Sequence, residues 1–151
     1  MTTFKDRLET DLRNAIKSRD EVVVSTLRLA IAAVRNEEVA GAEARTLTDD
    51  EVRTVLGREV KKRRDAATAF ADAGRPEQAE RERSEERVLE GYLPAQLSDD
   101  DLAAAVARAL DGLDVSGKQA MGAAMKAAQA EVAGRAEGGR VAAEVRRQLG
   151  L

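Results

Sequence analysis

Apolar side chains recur at helical spacing along almost the whole of this chain of 151 residues. A spacing of three to four residues places these side chains on one face of a helix, which must then be buried against other helices. One such stripe contains Leu27, Ile31 and Val34, and another contains Val141 and Val145. No segment of useful length shows the two-residue alternation typical of a strand. The sequence therefore predicts an all-α protein.

Capping and breaking residues mark where the helices should begin and end. Thr3 with Asp6 and Thr48 with Glu51 have the spacing of capping boxes, and Ser98 precedes three aspartates that suit the first turn of a helix. The segment GYLP, residues 91–94, interrupts the pattern. We therefore expect an N-terminal domain of about four helices over residues 1–93, followed by a small three-helix domain over residues 94–151.

The composition excludes several classes of function. The chain has no cysteine and no histidine, so disulfides, zinc sites with thiolate or imidazole ligands and His-dependent catalytic triads are ruled out. No motif indicates a cofactor or a metal. The N-terminus lacks the apolar core of a secretion signal, and no run of residues is long and apolar enough to span a membrane. The expected location is the cytoplasm.

Charge is distributed unevenly along the chain. The formal net charge is −3, which argues against strong non-specific binding of nucleic acid, but residues 115–151 carry six Lys or Arg against three Glu. Because only 2% of the residues are aromatic, base stacking is not expected, and contact with a nucleic-acid backbone through basic side chains and bare glycine amides is the remaining mode. The candidate nucleic-acid-binding residues are Lys118, Lys126, Arg135, Gly138, Gly139, Arg140 and Arg146. The alternative for the two glycines is an ordinary helix-capping turn.

Two other charged clusters have a plainer interpretation. Residues 58–64, REVKKRR, could hold phosphates, but this composition is also typical of a solvated helix face paired with acidic residues. Arg63 and Arg64 continue an apolar stripe, so one of them is expected to snorkel or to meet a carboxylate of the fourth helix. The glutamates between Glu82 and Glu90 have the spacing of salt bridges on a helix surface rather than of a catalytic pair.

The chain resembles the YqeY-like proteins, also called the GatB/YqeY family, over essentially its whole length. The resemblance is carried by YLPAQLS at 92–98 and by the pattern MGAAM at 121–125 followed by GRAEG at 134–138. The segments LRLAIAAVRNEEV and KKRRDAATAFADAGR are similar to the family as well. Glu137 departs from the expected Asp, but the carboxylate is kept.

The resemblance implies a two-part helical fold whose C-terminal part is similar to the tail domain of the B subunit of the Asp/Glu-tRNA amidotransferase, which is thought to contact the body of the tRNA. It therefore implies a non-catalytic protein of translation that binds tRNA or associates with the amidotransferase. The family label is glutamine-dependent carbon–nitrogen ligase, yet no catalytic residues can be carried over. Two alternatives stay open: a protein-interaction module that does not bind RNA, and an amidotransferase activity of the chain itself.

Overall fold

A computed structural model describes residues 2–114 and 120–151. The described residues are all-α and contain no strand, which confirms the predicted fold class. The chain divides into two compact units, Met1–Leu93 and Pro94–Leu151, called here the first and second unit. The expected division into two domains, residues 1–93 and 94–151, stays a prediction. No helix in the described part of the chain is long and apolar enough to cross a membrane.

The first unit contains four helices, whose boundaries are set largely by local capping. They are α1 (Phe4–Ser18), α2 (Glu21–Glu38), α3 (Asp49–Asp72) and α4 (Pro76–Glu90). The capping boxes at Thr3 and Thr48 are confirmed, because each threonine side chain accepts a backbone hydrogen bond and each partner carboxylate accepts one from the threonine amide. Pro76 occupies the first turn of α4, where its missing N–H costs no helical hydrogen bond.

The core of the first unit is built from aliphatic side chains of all four helices. Its completely buried large residues include Leu8, Leu27, Leu56 and Leu89. The segment after α4 also joins this core through Tyr92. The Tyr92 hydroxyl donates a hydrogen bond of 2.5 Å to Asp11, and burial and the Asp11 carboxylate raise the pKa of Tyr92. Tyr92 is therefore an anchor that fastens the GYLP segment to α1.

We expect Tyr92→Phe to lower the free energy of unfolding of the first unit by about 1–2 kcal/mol, because the Asp11 carboxylate loses its donor while the ring packing is kept. Urea denaturation followed by circular dichroism measures this change. The Arg7 guanidinium lies 4.8 Å from the Tyr92 ring centroid and keeps that contact in the variant. A stability equal to that of the wild type would show that the hydrogen bond contributes nothing.

Charged side chains are packed between α3 and α4. Arg63 lies 3.2 Å from Glu85 and 3.5 Å from Glu59, and all three side chains are less than 15% exposed. Arg64 pairs with Glu86 at 2.9 Å. The expected contact between this arginine pair and the fourth helix is thus confirmed. Glu85 lies 3.8 Å from Arg81, as its spacing predicts, but it is buried rather than on the helix surface. Its position one turn from buried Leu89 turns it inward.

The remaining basic residues of the segment 58–64 are themselves exposed, and each is paired with a carboxylate. Arg58 lies 3.6 Å from Glu37, Lys61 lies 2.8 Å from Asp65, and Lys62 lies 3.1 Å from Glu59. The solvated, paired interpretation of this cluster therefore fits the structure better than a phosphate site does.

Glu82 gives the first unit a pH dependence of its own. Burial, with the nearby Glu85 as a second cause, raises the pKa of Glu82 above its usual value of 4.5. A carboxyl with a raised pKa in the folded state binds protons more tightly there than in the unfolded chain, so its contribution to stability falls as the pH rises above about 4.5. We expect Glu82→Gln to remove this decline and to be more stable than the wild type at pH 7. Urea denaturation of both proteins at about pH 4.5 and at pH 7 measures the change. A steeper decline in the variant would contradict the assignment.

The second unit contains α5 (Asp99–Leu110), α6 (Ala120–Val132) and α7 (Gly138–Leu149). The Ser98 cap is confirmed, since its side chain accepts a hydrogen bond from the Asp101 amide. Small residues dominate the core: Ala124 and Ala128 are completely buried, while Met121 and Met125 are partly buried and pack against it. Small side chains let the helices approach closely, so this unit depends on tight packing rather than on a large apolar area.

Candidate nucleic-acid interface

The predicted binding residues that fall within the described part of the chain lie along α6, α7 and the corner that joins them. The corner is made by two consecutive left-handed residues, Ala133 with φ 51° and Gly134 with φ 79°. Glycine suits such a conformation because it has no Cβ. Of the predicted basic residues, Arg135 directly follows this reversal and Arg140 lies in the first turn of α7.

Arg135 holds the end of α6 in place. Its Nε donates to the Val132 carbonyl oxygen at 2.9 Å and its Nη2 donates to the Glu131 carbonyl oxygen at 3.0 Å. The Val132 carbonyl oxygen also accepts a bond of 3.1 Å from the Arg135 backbone amide, so the guanidinium adds to the partners of the carbonyls at this helix C-terminus. The Arg135 carbonyl oxygen in turn accepts a bond of 2.7 Å from the Leu97 amide. The guanidinium of Arg135 therefore has a structural task that its sequence context does not indicate.

Arg140 fastens α7 to the segment before α5. Its Nη2 donates to the Leu97 carbonyl oxygen and to Asp99 Oδ1, both at 2.9 Å. With the bond from the Leu97 amide to Arg135, Leu97 is held on both of its backbone groups. Because Leu97 lies 43 positions from Arg140 in the chain, no local sequence signal points to this contact.

We expect Arg140→Ala to destabilise the second unit by about 1–2 kcal/mol, because the Leu97 carbonyl and Asp99 lose a charged donor. Hydrogen exchange of the amides in α5 and α7 is the measurement. Arg146→Ala is the matched control, since Arg146 is exposed on the same helix and has no ion pair among the described residues. Equal exchange rates in the two variants would contradict a structural role for Arg140.

Lys126 and Arg146 remain as exposed cations of the predicted set. Within residues 2–114 and 120–151, neither side chain makes a hydrogen bond or an ion pair, so both are open to an external anion. The neighbouring Arg147 differs, because it pairs with Glu144 and lowers the pKa of that carboxyl to about 2. Lys118, also predicted to bind, lies outside the described residues.

Gly138 and Gly139 form the first turn of α7. The sequence predicts them just before this helix, and the structure shows instead that the helix begins at Gly138. The Val141 amide donates to the Glu137 carbonyl oxygen, which is the first hydrogen bond of the helix. The amides of the two glycines precede this bond and therefore lie at the positive end of the helix dipole. Both glycines are exposed.

Packing does not require glycine at these two positions. A Cβ at Gly139 would meet nothing within 4 Å, and one at Gly138 would come no closer than 3.8 Å to Gln129. Neither residue has a positive φ. The first turn of α7 therefore offers unhindered backbone amides, which are groups that can bind an anion, while the exposed Arg146 lies in the last turn of the same helix.

The described residues contain no group of three or more acidic side chains placed to hold a metal ion. Asp99, Asp100 and Asp101 occupy the first turn of α5 behind the Ser98 cap, as a capping role requires. Acidic residues of α4 are engaged with arginines of α3.

Comparison with known proteins gives one family and three relatives. The family model described as Yqey-like protein matches residues 5–149. A protein of Pyrenophora tritici-repentis named "Altered inheritance of mitochondria protein 41, mitochondrial" is 28% identical over 86% of this chain and 71% of its own length. A protein of the same name from Clavispora lusitaniae is 30% identical over 57% of this chain and 49% of its own length.

The third relative is an uncharacterised protein of Schizosaccharomyces pombe, which is 34% identical over 58% of this chain and 69% of its own length. The match to the family model covers nearly all of both units, including the corner between α6 and α7. From this match we conclude that the chain belongs to the YqeY-like family.

Proposed function

We propose that this protein is a non-catalytic accessory protein of translation that binds tRNA through its second unit. The observation that carries the proposal is the combination, on α6 and α7, of exposed cations at Lys126 and Arg146 with the open first turn at Gly138 and Gly139. Cations and unpaired amides at a helix N-terminus are the groups that bind phosphates without reading bases.

The resemblance of this unit to an amidotransferase tail domain points to tRNA as the nucleic acid and to the tRNA amidotransferase as a candidate partner. With only a few phosphate contacts, the binding should be modest and strongly dependent on salt. The proposed compartment is the cytoplasm, where translation takes place. The names of two relatives refer to mitochondria, and translation in that compartment would use the same surface.

The test is fluorescence anisotropy of labelled total tRNA with the full chain at two salt concentrations. We expect the double variant Lys126→Ala/Arg146→Ala to bind about tenfold more weakly and to lower the salt slope by about 2, because each lost phosphate contact contributes close to 1.

The control is Lys17→Ala/Arg83→Ala, which removes the same two charge types from exposed positions of the first unit. Equal loss of affinity in both double variants would indicate that only the net charge matters. It would contradict the assignment of Lys126 and Arg146 as the binding residues. No binding by the wild type at low salt would favour the protein-interaction alternative.

The other alternative is an enzyme. Purified chain that forms an amide product from glutamine and ATP, with no other protein present, would establish amidotransferase activity and replace the accessory role proposed here.

A further inference from the structure

A cleft of about 570 Å³ lies between α1 and α2 in the first unit. The two helices are joined by only Arg19 and Asp20 and pack side by side, so they form an antiparallel hairpin with a groove along it. Both helices contribute to its lining, which is apolar at the floor and basic at the rim. The floor residues are Leu12, Ile31 and Ala32, and the rim arginines are Arg13, Arg28 and Arg35.

The arginines of the rim are little used by the fold. Arg28 makes no hydrogen bond or ion pair within the described part of the chain. Arg13 donates to the Thr10 hydroxyl, and Arg35 reaches Glu9 only at 3.5 Å with 65% of its side chain exposed. Glu9 is the one acidic residue of the lining. The cleft is therefore a locally basic surface on a protein whose net charge is −3.

These two helices also leave large apolar side chains exposed to water. Of the six large apolar residues exposed among the described residues, three lie on these two helices: Ile16 at 47%, Val22 at 37% and Leu29 at 49%. Ile16 follows Leu12 by one helical turn, and Leu29 precedes Ala32 by one turn, so both extend the rows that line the cleft. A polyanion such as RNA would neutralise the arginines but leave this apolar floor uncovered.

We propose that the cleft docks an acidic amphipathic helix of a partner protein. A groove between two antiparallel helices accepts a third helix that lays its apolar stripe on the floor. Arg28 and Arg35 are seven residues apart, or about 10.5 Å along α2 at 1.5 Å per residue. They match two carboxylates spaced seven residues apart along one edge of the incoming helix, and Arg13 on α1 matches a carboxylate on the opposite edge.

This proposal does not rest on the proposed function. The cleft belongs to the first unit, whereas the proposed tRNA-binding residues belong to the second. The two can be tested with separate variants of the same full chain, and either can fail alone.

The probe is a fluorescently labelled synthetic helix of about 21 residues that carries leucine at helical spacing and glutamate along both edges of the leucine stripe. A peptide of the same composition in scrambled order keeps the charge but has no apolar face. A third peptide replaces every glutamate by lysine. Binding of each peptide to the full-length protein is measured by fluorescence anisotropy.

We expect the amphipathic acidic peptide to bind at least tenfold more tightly than both control peptides, which corresponds to about 1.4 kcal/mol. Arg28→Glu/Arg35→Glu should weaken its binding tenfold or more, because the charges then repel. Arg75→Glu/Arg83→Glu reverses two exposed arginines outside the cleft and should leave the affinity unchanged. Circular dichroism confirms that both variants remain helical.

Several results would overturn the proposal. One is binding of the scrambled peptide as tight as that of the amphipathic one, and another is an equal effect of both charge reversals. Absence of binding at about 100 μM peptide would do the same. If Arg28→Glu/Arg35→Glu abolished tRNA binding instead, the cleft would be a phosphate site. If it abolished a dimer seen by sedimentation, the cleft would be an interface between copies of this chain.

Discussion

Replacing Arg63 with methionine should lower the free energy of unfolding of the first unit by about 3–5 kcal/mol at neutral pH. Methionine fills much of the same space, so the loss is mainly electrostatic. Arg63 lies 3.2 Å from Glu85 and 3.5 Å from Glu59 in a packed interface. Without it, both buried carboxylates lose their buried partner, and only the exposed cations of Lys62 and Arg81 remain near them. Urea denaturation followed by the fluorescence of Tyr92, the one tyrosine in a chain without tryptophan, measures this unit.

Lys62→Met is the control for this prediction. Lys62 also pairs with Glu59, at 3.1 Å, but its side chain is 68% exposed, so we expect a loss below about 1 kcal/mol. If Arg63→Met lost as little free energy of unfolding as Lys62→Met at neutral pH, the buried cluster would not depend on Arg63.

Replacing Ala128 with leucine should destabilise the second unit by about 3 kcal/mol, the upper part of the range for overpacked cores. Ala128 is completely buried in α6, within the same core as Ala105 of α5 and Val145 of α7. The added carbon atoms have no space there, so the neighbouring helices must separate. A unit of this size has a small stability margin, and we therefore expect its native state to be lost at moderate temperature.

Ala130→Leu is the control, since Ala130 is exposed on the same helix and leucine has nearly the same helix propensity as alanine. Hydrogen exchange resolved by residue is the measurement, because it reports on α5–α7 separately from the first unit. Protection of α5–α7 should collapse in Ala128→Leu and persist in Ala130→Leu. Unchanged protection in Ala128→Leu would show that the core of the second unit is loosely packed.

Local patterns predicted the helices well because they act over a few residues. Thr48 and Glu51 are three positions apart, and the two bonds of their capping box need no other part of the chain. The same holds for Ser98 and for the stripe of Leu27 and Ile31, whose spacing alone places them on one helix face. Composition likewise excludes disulfides and thiolate or imidazole metal sites, because the chain contains neither cysteine nor histidine.

The side-chain roles of the candidate site were less predictable. All its basic residues have the same charge, so the sequence could not separate Arg135 and Arg140, which hold backbone carbonyls, from Lys126 and Arg146, which are exposed. The distinction depends on the position of Leu97 beside α7. Contacts between residues far apart in the chain set this position.

The sequence by itself determined the all-α class, the capped helix starts and the family, because periodicity, capping and motif matches are properties of short segments. The tertiary structure alone decided which charges are buried and which are open. Glu85 and Glu86 are neighbours in the same helix, yet Glu85 faces Arg63 inside the unit while Glu86 pairs with the more exposed Arg64. Burial is set by the helix that packs opposite, and only the assembled fold specifies that partner.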